Sequence, residues 1–114
     1  MENAQRFDEL QFFAKVRKMP GVWLGKPSLL SLRDQLFGMR YAFELCGQKD
    51  ALNYCFSFVK WYEAGQVREE NGFACWWNHM LYISGNNDEQ AFDTFFRYFE
   101  RYLKECRGLT LPEV

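Results

Sequence analysis

The chain has 114 residues, with 14 Lys and Arg against 15 Asp and Glu, a formal net charge of −1 and a pI near 5.8. That length fits one domain, residues 1–114, able to bury a core without disulfides or a metal. The near-neutral charge argues against a generic nucleic-acid binder, and no apolar run approaches the roughly 18 residues of a membrane span.

Twelve Phe, 6 Tyr and 4 Trp make the chain 19% aromatic, more ring surface than a small core obviously requires. Either the core is very well filled or some rings lie on a binding surface. Cys46, Cys55, Cys75 and Cys106 form no CxxC and no Cys/His pair with metal-ligand spacing. Each lies in an apolar run, where a free Cys behaves as a small buried hydrophobe. The amino-terminal MENAQRFDEL has no basic segment followed by an apolar stretch, so no signal peptide is expected. These features together predict a reduced, cytoplasmic protein without metal or cofactor.

Helical spacing recurs in five segments. The first spans about Arg6 to Lys18, with Phe7, Leu10, Phe12, Phe13 and Val16 on a broad apolar face. Met19-Pro20-Gly21 is expected to end it and reverse the chain, with Trp23 and Leu24 packing back and Gly25 turning again. The second begins after Ser28 or Ser31. Leu29, Leu32, Leu36, Met39, Phe43 and Cys46 keep 3–4 spacing, Gly38 offers room for a close crossing, and Gly47 is a natural stop. Asp50 is a candidate cap for the third helix, about Ala51 to Ala64. Apolar on most sides, this helix is expected in the middle of the fold.

The polar loop 66–72 follows. Phe73 to Ser84 then suits a helix better than a strand, because its apolar residues recur in adjacent pairs without strict alternation. The last helix has Asn87 and Gln90 at capping-box spacing and an acidic first turn. Phe92, Phe95, Phe96, Phe99, Leu103 and Cys106 form its apolar stripe, Glu100 and Lys104 stand as an i,i+4 pair, and Gly108 stops it. The fold class is therefore all-α, a compact bundle of about five helices in which the fourth segment could be a strand.

Catalytic signals are weak. There is no GxGxxG, GxxxxGK[ST], HExxH or GxSxG. The sole histidine, His79, lies in an aromatic segment and reads first as a hydrogen-bonded, partly buried ring and only second as a proton-transfer group. Glu69-Glu70 and Asp88-Glu89 read as solvated or dipole-compensating pairs, or as captors of a basic partner. Lys15, Arg17, Lys18 and Lys26 suit a helix carboxyl end or a phosphate. Trp76 and Trp77, about 100° apart on a helix, cannot both face the core.

Two stretches carry a resemblance. Phe13 to Leu36, FAKVRKMPGVWLGKPSLLSLRDQL, is similar to small bacterial proteins with a helix, a K-x-R-P-G-M-Y-L-G-like turn, S-x-x-x-L and a second helix. Asp88 to Phe96 resembles their acidic-then-aromatic final helix. These are immunity proteins of polymorphic-toxin and contact-dependent inhibition systems. The chain departs at Met19, where the pattern has Arg, and at Val22 and Trp23 in place of Met and Tyr. A second likeness, to the V-R-K-R-P-G-M-Y-I-G stretch of gyrase-type ATPases, fails because the Asn and Asp-x-Gly-x-Gly elements are absent and the chain is too short.

The first resemblance implies no catalysis. It implies capture and neutralisation of a cognate toxin domain, a nuclease being one case, by blocking its active site or substrate groove, without direct contact to nucleic acid or membrane. Acidic side chains would then occupy phosphate positions in a basic groove, with Glu63, Glu69, Glu70, Asp88 and Glu89 as candidates and Trp77 and Tyr82 as anchors. The alternative is a small-molecule-binding helical sensor or an adaptor domain, motivated by the surplus of rings.

Overall fold

The computed structural model describes residues 7–67 and 75–114. Within them every regular element is helical: α1 (Glu9–Lys18), α2 (Pro20–Leu24), α3 (Leu29–Leu45), α4 (Asn53–Gly65), α5 (Trp76–Ile83) and α6 (Asp88–Tyr102), the last running into a π-helical turn at Leu103–Arg107. Among the described residues the all-α expectation holds, and the ambiguous fourth segment is helical over Trp76–Ile83, its expected start at Phe73 lying outside the described residues.

Local chemistry explains most boundaries. Asp8 caps α1 by accepting from the Gln11 N–H at 3.0 Å, and Lys15, Arg17 and Lys18 lie in its last turn. Pro20 does not reverse the chain as expected. It occupies the first turn of the short α2, where its missing N–H is no loss, and the turn comes at Gly25, φ 84°. Trp23 packs edge-on against Phe12 with centroids 6.0 Å apart, while Val22 stays in solvent.

Ser28, not Ser31, caps α3; its Oγ accepts from the Ser31 N–H at 3.0 Å. At the other end Gly47, φ 74°, allows the Gln48 N–H to reach the Phe43 carbonyl at 2.7 Å, a Schellman closure. Gly38 makes no close crossing, since a Cβ there would meet nothing within 4 Å. Asp50 caps nothing with its side chain: α4 begins two residues later than expected, after Leu52.

The centre of the fold is α6, not α4. α3, α4 and α5 all pack on α6. Phe13 of α1 adds its ring at 4.9 Å from Phe99, and Phe58 of α4 sits 5.4 Å from Phe95 and 5.2 Å from Phe99. α4 is apolar on most sides, yet Tyr54, Phe56 and Trp61 are only partly buried, and arginines lie over the outer faces of two of these rings. Arg40 lies over Phe56 at 4.5 Å and Arg101 over Trp61 at 5.9 Å. Glu100 pairs with Arg17 of α1 where the spacing pointed to Lys104, and Arg101 makes the i,i+4 pair, with Glu105 at 3.1 Å.

The apolar-run rule for cysteine holds at Cys55, which is buried. Cys75 is half-buried, and Cys46 and Cys106 are exposed. Cys46 sits past the last buried turn of α3. Cys106 lies in the π-helical turn, whose wider winding carries it off the stripe that ends at Leu103.

Candidate interaction surface

The first feature of the surface is a set of acids withdrawn from it. Three helix starts are closed by a carboxylate from another helix. Asp88, opening α6, accepts from the Leu30 N–H at 3.0 Å and from the Ser28 hydroxyl, fastening the start of α3. Glu9 of α1 accepts from Tyr54 and Cys55 N–H at 2.9 and 2.6 Å, fastening α4. Glu63 of α4 accepts from the Trp76 N–H at 3.2 Å, fastening α5. Each satisfies backbone donors that helix geometry leaves without an internal partner.

This arrangement corrects the expected acidic face. Glu63 and Asp88 are half-buried and engaged within the fold. Glu89 is exposed on the first turn of α6. Glu69 and Glu70 lie outside the described residues. Of the two expected anchors, Tyr82 is 61% exposed, and Trp77 is half-buried beside α3. Trp76 takes the core position at 3% exposure, so the neighbouring tryptophans do divide between core and rim.

The outer face of α3 was not singled out from the sequence. Phe37, Tyr41 and Leu45 follow one another at i, i+4 and i+8 and are 42, 67 and 71% exposed. The buried stripe of the same helix, Leu29, Leu32 and Leu36, gives way to the half-buried Met39 and Phe43. Trp77 continues the outer row: its ring meets Phe37 edge-on at 5.7 Å, and the Arg33 guanidinium lies 5.1 Å above it. Arg33 is held in turn by Asp34, at 2.8 Å from Nη2 and 2.9 Å from Nε. The result is an exposed aromatic ridge flanked by charged groups, with Glu44 at its edge. A signal existed, since α3 carries apolar residues at helical spacing on two faces. Periodicity alone does not say which face is covered.

Three of the buried polar groups, Tyr62, His79 and Cys55, are held toward their neutral forms. Tyr62 Oη lies 2.7 Å from His79 Nδ1, with the Tyr98 ring 5.0 Å from that of Tyr62. Burial lowers the His79 pKa from its ordinary 6.5, favouring the neutral ring. Burial, aided by Tyr98, raises that of Tyr62, so neither member readily becomes charged. Burial and the neighbouring Glu9 charge likewise push the Cys55 thiol up, away from the nucleophilic thiolate. Among the described residues no group of three or more His, Cys, Asp and Glu is placed to hold a metal, and no helix is long and apolar enough to cross a membrane.

Comparison with family models, with curated proteins and with solved structures finds no match in any of the three.

Proposed function

We propose that this chain is an immunity protein: it binds and neutralises a cognate bacterial toxin domain and performs no catalysis of its own. The observation that carries the binding part is the Phe37–Tyr41–Leu45 row with Trp77 and Arg33 at its border. Large rings left in solvent beside a filled core lose apolar stabilisation, and a second surface recovers it. Trp, Tyr and Arg are also the side chains most enriched at interface hot spots.

The nature of the partner rests on the likeness of Phe13–Leu36 and Asp88–Phe96 to immunity proteins. In this reading the protein acts in the cytoplasm, where the toxin arrives, and blocks the toxin's active site or substrate groove. With Glu63 and Asp88 engaged within the fold, the expected Glu89 and the additional Glu44, both exposed, are acids available to a basic groove.

The test is co-expression with the carboxyl-terminal domain of a large secreted protein encoded immediately upstream. The expected outcome is co-purification and restored growth of cells expressing that domain. Failure to bind it and failure to protect would refute the proposal.

A further inference from the structure

Gly38 has no use within a single copy of the chain. It stands in the middle of α3, where glycine weakens a helix, and no described neighbour comes close enough to need the missing side chain. Ala42 follows one turn later, and both residues are exposed. Together they form a shallow groove alongside the Phe37, Tyr41 and Leu45 ridge. Side chains four residues apart make the ridges that seat in the matching grooves of another helix. Here one helix carries both ridge and groove at the same spacing, so a second α3 is its complement.

The charges fit the same occupant. Arg40 and Glu44 lie one turn apart on one flank of the ridge, both exposed. Their order is the less favourable one for pairing within a helix, and among the described residues neither forms an ion pair. Two antiparallel α3 helices related by a two-fold axis near Ala42 set each Arg40 against the Glu44 of the other copy. Arg33 and Asp34, the other charges at the ridge, already neutralise each other.

We propose that two copies of this chain bury the outer face of α3 against each other, antiparallel, the ridge of each in the groove of the other. The proposal rests on the reading of this face as a protein-gripping surface and adds what covers it before a toxin does. The contact uses the same patch on both copies, as a two-fold pair must. Three large side chains per copy place it among the small interfaces, so the pair is weak and a toxin domain can displace it.

The experiment is sedimentation equilibrium of the free protein from about 1 to about 500 μM, with no toxin present. A concentration-dependent monomer–dimer equilibrium is expected, and a monomer throughout would overturn the proposal. Gly38→Gln fills the groove and is expected to weaken the dimer at least about tenfold, while its urea midpoint holds or rises. Arg40→Glu and Glu44→Arg should each weaken the dimer about threefold or more, and the double exchange should restore it. Val22→Glu alters the exposed apolar corner at α2 and should leave the dimer unchanged. Dissociation by Val22→Glu, indifference to Gly38→Gln, or no rescue by the double exchange would each overturn the proposal. A monomer that still protects cells from the toxin refutes the pair alone, and a dimer that neither binds the toxin nor protects refutes the immunity reading alone.

Discussion

The two halves of α3 differ sharply in how far their apolar side chains are covered. Its amino-terminal half is locked at both levels: Leu29, Leu32 and Leu36 are at most 1% exposed, and Ser28 and Leu30 are bound to Asp88 of α6. Its carboxyl-terminal half keeps Phe37, Tyr41 and Leu45 largely in water. Both halves carry the same kind of side chain at the same spacing, so helix formation does not separate them. What separates them is whether a neighbour lies alongside. The comparison teaches that hydrophobic periodicity reports a helix, while burial is decided by elements far away in sequence.

The largest contrast is expected from paired leucine truncations. Leu32→Ala removes a fully buried side chain and is expected to cost about 2–5 kcal/mol. Leu45→Ala, at 71% exposure, is expected to stay within about 0.5 kcal/mol. Urea denaturation midpoints measure both, and equal costs would break the comparison. Next comes Asp88→Ala, which leaves the Leu30 N–H and the Ser28 hydroxyl without their acceptor and is expected to cost about 1–3 kcal/mol. If Asp88 were instead a free surface acid, the same substitution would scarcely move the midpoint. The smallest effect belongs to Glu89→Lys, an exposed site whose reversal is expected to change stability by less than about 0.5 kcal/mol. Its effect on partner association should appear chiefly in the on-rate at low salt.

The elements themselves were largely legible. Ser28, Asn87, Gly47 and Gly108 mark their boundaries by local chemistry, and the α6 stripe from Phe92 to Leu103 is buried as its spacing requires. The starts of α4 and α5 were not legible, because their caps come from Glu9 and Glu63, each on a different helix. A partner 45 residues away leaves no mark in local spacing. One trace was available for Glu9: it shares a helical face with Phe13 and Val16, both 0% exposed, so a carboxylate there was a candidate for burial. For the same reason Asp88 and Glu63 looked like partner-binding acids. Their charge is visible in sequence, and the backbone groups that claim them are not.

The most direct test is the affinity of the Phe37→Ala/Tyr41→Ala double variant for the toxin domain retained by the wild type, measured by calorimetry beside its urea denaturation midpoint. If the outer face of α3 is the gripping surface, affinity should fall by at least about 30-fold, the equivalent of two moderate hot-spot losses, while the midpoint stays nearly unchanged. Wild-type affinity in a folded double variant would contradict the account.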